Sequence, residues 1–268
     1  MIKWQKPFIW LGGKLDMYKL LALDMDGTLL TDEQTISDEN AEWIRRAMDA
    51  GVTVCFSTGR GFQGALPFAE QLGLETPLIT VNGSEIWSKP HVLYRRTLMN
   101  AGELRRLHEL ALHHVEPWYW GYAVEGIFNK EKWIEPANDY ENLHWLKFGY
   151  HTENDAIRAE IRREIESWGS MEITNSSPWN LELNPLGVNK ASAVRELCGV
   201  LGIAMDEAVA IGDSLNDIAA IRECGLGIAM GNAQDEVKEA ADAVTLSNNE
   251  HGVAHAIREF VLKGATVR

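Results

Sequence analysis

From Lys19 onward the chain alternates short apolar runs with amphipathic stretches, and this rhythm constrains its fold more than any other feature. The run 20–23 leads into Asp24-Met25-Asp26-Gly27-Thr28, the run 52–56 into Ser57-Thr58-Gly59-Arg60, and the run 77–81 into Asn82-Gly83. Apolar runs this short predict buried strands, and the stretches between them predict helices laid across a parallel sheet. Ser37 reads as an N-cap, with Asp38 and Glu39 in the first turn and Ala41, Ile44, Ala47 and Met48 as the apolar stripe; Gly51 ends that helix. A second helix is expected up to Leu72.

The rhythm then breaks. Residues 87–179 carry seven of the ten tryptophans, and residues 91–151 carry six of the eight histidines. Helix-like segments near 101–114 and 153–168 mix with strand-like segments near 119–128, 171–175 and 180–184, without clean alternation. That mixture predicts a separate α+β unit. From Asn189 the rhythm resumes, with strands expected at 208–211, 227–230 and 244–245, each followed by a helix. A chain of 268 residues is long enough for two compact units. The expected division is 17–86 with 187–268 as one α/β domain, 87–186 as an insertion, and 1–16 as a loosely held N-terminal extension, with Met17 an alternative start.

Charge narrows the function classes. With 25 Lys+Arg against 39 Asp+Glu, the formal charge is −14, which repels nucleic acid and anionic membranes. No apolar run reaches the roughly 18 residues of a membrane span, and the N-terminal stretch lacks the features of a signal peptide. Cys55, Cys198 and Cys224 are too few and too scattered for a disulfide framework or a zinc cage. A cytoplasmic protein with no obligatory protein partner is the expectation.

Two acidic clusters fall where a strand passes into a loop, which is where open α/β sheets bind ligands. They are Asp24-Met25-Asp26-Gly27-Thr28 and Gly212-Asp213-Ser214-Leu215-Asn216-Asp217. Any one strand-end aspartate is ordinarily a turn former or a cap. Four of them converging would repel one another, and an all-oxygen donor set of this kind suits Mg²⁺.

These motifs resemble those of the haloacid dehalogenase-like superfamily, and specifically its Cof-type phosphatases. Asp24 to Thr28 is similar to the family's DxDGT motif, and Ser57-Thr58-Gly59-Arg60 to its second motif. Lys190 is similar to its third, and Gly212 to Asp217 to its fourth. Gly227-Ile228-Ala229-Met230-Gly231-Asn232-Ala233 resembles the Cof-type C-terminal signature. Ala191 departs from the usual glycine after the lysine. The resemblance implies an α/β fold, with a Rossmann-like parallel-sheet core and an inserted α+β cap domain. It also implies a Mg²⁺-dependent phosphatase of small phosphorylated metabolites such as sugar phosphates.

The chemistry follows from what a phosphomonoester dianion requires. Asp24 is the expected nucleophile, forming an aspartyl-phosphate, and Asp26 the expected general acid and base. Mg²⁺ is assigned to Asp24, Asp213 and the main-chain carbonyl of Asp26. Lys190, Thr58, Asn216 and the main-chain N–H groups of Met25 and Gly59 are expected to bind the phosphoryl group. Asp217, Ser214 and Arg60 are supporting candidates. The histidines lack ligand spacing, and Asn82-Gly83 reads as a tight turn. A phosphomutase would need a second phosphate site in the insertion, where paired arginines such as Arg95-Arg96 and Arg105-Arg106 lie. A silent sugar-phosphate sensor would need a damaged site. The tryptophans, notably Trp118 and Trp120, raise the expectation that at least one lines the closed site.

Overall fold

The computed structural model describes residues 18–133 and 140–262. The expected N-terminal extension and Met17 lie outside these residues. The elements run β1 (Leu20–Leu23), α1 (Asp38–Asp49), β2 (Thr53–Ser57), α2 (Phe62–Leu72), β3 (Leu78–Thr80), β4 (Glu85–Lys89) and β5 (Val92–Arg96). They continue with α3 (Ala101–His113), β6 (Trp118–Ala123), β7 (Gly126–Asn129), β8 (Trp145–His151), α4 (Asp155–Trp168), β9 (Met171–Thr174) and β10 (Asn180–Pro185). The last part comprises α5 (Lys190–Leu201), β11 (Ala208–Gly212), α6 (Ile218–Glu223), β12 (Leu226–Ala229), α7 (Asp235–Ala240), β13 (Ala243–Val244) and α8 (Gly252–Ala256).

The larger sheet has the order β13-β12-β11-β1-β2-β3-β4-β5, and all its pairs from β13 to β3 are parallel. This is the α/β core expected from the alternation. β1 is buried along its whole length, because both faces of a helix-covered parallel sheet are closed to water. Ser37 caps α1 as read, its Oγ accepting the Asn40 N–H at 3.2 Å. Chain order reverses about β1, which pairs with β2 on one side and β11 on the other. The carboxyl ends of those three strands form the crevice of a topological switch point.

The smaller sheet is antiparallel, in the order β7-β6-β8-β10-β9, and carries α3 and α4. It forms the inserted α+β cap. Here the structure departs from the reading in two places. Residues 85–96 form an antiparallel hairpin that pairs with β3 and extends the larger sheet, although 87–96 was expected in the insertion. The turn at Asn82-Gly83 sends the chain back along β3 before it leaves the core. We therefore draw the cap from about residue 97 to Pro185. The single strand-like stretch at 119–128 is a hairpin, β6 and β7, and β8 was not foreseen.

Packing explains several of the cap's tryptophans, while Trp118 and Trp179 remain exposed. Trp145 is fully buried, stacks on Trp133 and meets Phe128 edge-on. Trp120 covers Gly149, where a Cβ would fall 2.2 Å from the indole ring. Gly121 similarly makes room for Trp145 and Trp133. Large rings over cross-strand glycines fill a small core with few residues.

Candidate active site

Three strand ends supply the site. Asp24 follows β1, Thr58 and Gly59 follow β2, and Asp213 follows β11, while Lys190 opens α5. Asp24 and Lys190 are buried, and the lysine is only 1% exposed. Lys190 Nζ donates to Asp24 Oδ1 and to Asp217 Oδ1, each at 2.6 Å. Asp217 Oδ2 accepts the main-chain N–H groups of Asp213 and Ser214, both at 3.1 Å, which shapes the loop after β11. Asp213 in turn accepts from Thr28 Oγ1 at 3.0 Å and from Ser214 Oγ at 2.9 Å. Gly27 is required where it stands. Its φ is +72°, and a Cβ there would lie 2.6 Å from Asp213 Oδ2.

The electrostatics are those of a crowded anionic pocket. Burial is the main cause that pushes the Asp24 carboxyl well above its ordinary value; the Lys190 charge opposes it, and Asp217 and Asp213 reinforce it. Asp213 is pushed up to about 6, by burial first and then by Asp217. Burial alone would lower Lys190, but Asp217 and Asp24 outweigh it and hold the ammonium charged.

Oxygens of Asp24, Asp213 and Asp217 lie within 4.8 Å of one another. A hard divalent cation fits this set: the donors are all oxygen, and one lysine neutralises only part of their charge. Asp217 is tied to the Lys190 ammonium and two fixed main-chain N–H groups, whereas Asp213 accepts only from two hydroxyls that can rotate away, so Asp24 and Asp213 are the better carboxylate ligands. The side chain of Asp26 stands outside this group. It is 49% exposed and paired with Arg60, whose Nε and Nη2 donate to its two oxygens at 2.7 and 2.6 Å.

A cavity of about 230 Å³ opens over these groups, lined by Asp24, Asp26, Gly59, Arg60, Ser176, Glu182, Ser214 and Asn216. Thr58, Met25, Lys190, Asp213 and Asp217 stand behind this wall. The Thr58 Oγ1 accepts the Arg60 N–H at 3.1 Å, and Met25 is buried in the core. Ser176 and Glu182 come from the cap and were missed. The available signal was the alternation Asn180-Leu181-Glu182-Leu183-Asn184, which reads as a strand with one polar, solvated face. That polar face is buried instead, against the core. Asn82, read as a plain turn residue, bonds both Glu182 and Asn216.

Among the described residues no tryptophan lines this cavity, so the expected aromatic platform is not found. Of the arginines that a second phosphate site could use (Arg95, Arg96, Arg105, Arg106, Arg158, Arg162 and Arg163), all but Arg163 have a neighbour that engages them among the described residues, Arg158 pairing with Asp155 and Arg162 with Glu166. Arg95 pairs with Glu196, Arg96 with Glu85 and Arg105 with Glu141, and Arg106 lies over Trp168. No helix among the described residues is long and apolar enough to cross a membrane.

Comparison with known proteins agrees with this geometry. The profile of the haloacid dehalogenase-like hydrolase family matches residues 21–257. The 5-amino-6-(5-phospho-D-ribitylamino)uracil phosphatase YcsE of Bacillus subtilis is 49% identical over 244 residues, spanning 91% of this chain and 96% of that protein. The phosphatase YwpJ of Bacillus subtilis is 30% identical, over 91% of this chain and all of that protein. The HMP-PP phosphatase of Serratia proteamaculans is 29% identical, over 91% and 96%. The solved structure of a haloacid dehalogenase-like hydrolase from Bacillus subtilis superimposes with a TM-score of 0.83 at 26% identity, covering 90% of this chain and 99% of that one. The chain therefore belongs to the haloacid dehalogenase-like hydrolases, among their Cof-type members, and is a phosphatase of phosphorylated metabolites.

Proposed function

We propose that the enzyme hydrolyses phosphomonoesters of small, hydroxyl-rich metabolites through an aspartyl-phosphate, and that the phosphate ester of a ribitylamino-pyrimidine is its leading substrate. The observation that carries the reading is the Asp24–Lys190–Asp217 chain of 2.6 Å bonds beside Asp213 at the back of a polar cavity. The substrate class is supported by the 49% identity to a phosphatase of that ester.

Asp24 attacks phosphorus with a carboxylate oxygen, and the bond to the leaving oxygen breaks. Asp26, at the exposed side of the site, gives its proton to the departing alkoxide. It then takes a proton from the water whose oxygen attacks the aspartyl-phosphate, releasing inorganic phosphate and regenerating Asp24. Arg60 holds the Asp26 carboxylate by both oxygens and so fixes its place at the exposed side of the site. Lys190 balances Asp24 and the phosphoryl charge, while Asn216, Gly59 and Thr58 offer hydrogen bonds to the phosphoryl oxygens. Asp24, Asp213 and the Asp26 carbonyl would hold Mg²⁺, which would supply positive charge to screen the nucleophile from the dianion. Three buried, free thiols suit a reducing compartment, and we place the enzyme in the cytoplasm.

The test is phosphate release from 5-amino-6-(5-phospho-D-ribitylamino)uracil and a panel of sugar phosphates, with EDTA and Asp24→Asn controls. The reading expects a marked preference for the ribityl ester, lost in both controls. Equal, weak turnover of the whole panel would overturn the substrate, and full activity of Asp24→Asn would overturn the mechanism.

A further inference from the structure

Between the carboxylate cluster and the cap lies a second polar group that the proposed mechanism does not use. Lys147 on β8 and Glu182 on β10 are both buried and paired at 2.9 Å. Lys147 Nζ also donates to the main-chain oxygen of Gly59 at 3.0 Å, so the pair reaches from the cap into the phosphate loop. Glu182 Oε2 accepts from Asn82 Nδ2 at 2.6 Å, and its Oε1 accepts from Ser176 Oγ at 3.2 Å. Burial alone would raise this carboxyl, but Lys147 and the donors from Asn82 and Ser176 outweigh it and hold the group below its ordinary value. Glu182 is thus an acceptor only.

An acceptor in that place decides which way each neighbouring amide faces. Asn82 must turn its Nδ2 toward Glu182, and Asn184 Oδ1 at 3.3 Å demands the same. Asn184 cannot reverse, because its own Nδ2 donates to Val81 O at 3.1 Å and to Ser84 Oγ at 3.0 Å. The Asn82 carbonyl therefore faces Asn216 and accepts from its Nδ2 at 3.2 Å. Among the described residues the Asn216 Oδ1 has no hydrogen-bond partner, so the bond to Asn82 is what fixes this amide. The middle link is itself held in a costly conformation. Val81 and Asn82 have φ of +52° and +56°, and their N–H groups donate to Arg60 O and Thr58 O at 2.8 and 2.9 Å.

We propose that Glu182 is a positioning residue for phosphate binding, seated in the cap and acting through Asn82 to set the orientation of the Asn216 amide. The inference rests on Asn216 being a phosphate ligand. It makes seating of the cap a condition for a correctly oriented phosphate site, whatever leaving group the ester carries.

Competitive inhibition by inorganic phosphate tests this on the full-length enzyme with Mg²⁺ and a minimal chromogenic phosphate ester. Glu182→Gln keeps the shape but places one N–H₂ where Lys147 and Asn82 both require acceptors. Phosphate inhibition is expected to weaken about tenfold, as for loss of one charged hydrogen bond. KM should rise alike for the minimal ester and for larger substrates, with kcat changing less. Asn216→Ala should weaken phosphate equally, and the double variant should lose little more. If Glu182→Gln lowers the thermal midpoint, Asn82→Gly removes the middle link in a residue suited to positive φ and carries the same expectation. A normal phosphate inhibition constant in Glu182→Gln and Asn82→Gly, with Asn216→Ala impaired, overturns the relay alone. Normal inhibition in all three removes Asn216 from the phosphate site as well. Losses confined to larger substrates make Glu182 a leaving-group contact and overturn the proposal.

Discussion

Lys190 lies 2.6 Å from Asp24 and 2.6 Å from Asp217, so a single buried ammonium holds together the aspartate that ends β1 and the loop after β11. Removing it strands two buried carboxylates. Lys190→Met is expected to cost about 3–5 kcal/mol of stability, as for a buried ion pair stripped of one partner. It should also cost about a hundredfold or more in kcat/KM, because transition-state charge loses its fixed countercharge. The folded lysine is held above its ordinary 10.5, so its stabilisation is present below that pH and is lost only as pH rises through the folded value. Thermal melts at neutral pH and steady-state kinetics check both effects; near-normal turnover would remove Lys190 from the site.

Asp213 carries the pH signature of the metal-free protein. Its carboxyl is raised from 3.8 to about 6, so the folded state binds its proton more tightly than the unfolded state does. The stability it contributes is therefore present below about pH 4 and is lost as pH rises through about 6. A divalent cation needs the ionised cluster and reverses this trend. The stabilisation on adding Mg²⁺, read from the rise in melting temperature, should grow as pH increases across that window, reaching about 2.7 kcal/mol at a hundredfold excess over Kd. EDTA should abolish activity, Mg²⁺ should restore it, and Ca²⁺, with its looser geometry, should restore it poorly. A melting shift independent of pH would place the cation elsewhere.

The two aspartates of the first motif should separate cleanly. Asp24→Asn is expected to bring turnover to the assay background while leaving the fold intact, since burial already disfavours the charge at this position. Lys190 keeps Asp217 as its partner in that variant, so the metal-free melting temperature should hold or rise. Asp26→Asn touches no buried charge and should slow both half-reactions by about a hundredfold or more. A Asp24→Asn enzyme with near-normal turnover would exclude the covalent route.

The core and its charged centre were legible because their signals are local. Leu20–Leu23 followed by Asp24 and Asp26, or Ala208–Gly212 followed by Asp213, compresses strand, turn and site into fewer than ten residues. The cap contribution is different, since Glu182 and Ser176 become site residues only when β10 turns its polar face toward the core. Lys147 hid β8 for the same reason: a lysine inside Trp145–His151 reads as solvated until its partner, 35 positions away, is known. The part of the hairpin from residue 87 was assigned to the insertion because the tryptophan- and histidine-rich stretch opens there with Trp87 and His91. Tryptophan enrichment supports two readings, core packing and a substrate platform, and the structure gives Trp120, Trp133 and Trp145 to packing. Rings that fill space left by Gly121 and Gly149 look, in sequence, the same as rings waiting for a sugar.

Cap closure should depend on one small residue. Gly61, just before α2, lies against Tyr122 of β6, and a Cβ there would fall 1.5 Å from the phenol oxygen and 2.2 Å from Cζ. A phenol ring cannot bend away, so Gly61→Ala must tilt it or lift the cap. KM for the phosphoester should rise severalfold, with little change in the core's stability. Alanine is also a poorer helix N-cap than glycine, which offers a competing cause. Tyr122→Ala separates the two, because it removes the obstructing ring and leaves the cap position of α2 unchanged. In that background Gly61→Ala should have almost no further effect on KM, a non-additivity expected only for residues in contact. An undiminished effect of Gly61→Ala in the Tyr122→Ala enzyme would assign the defect to the helix start and leave cap closure independent of this contact.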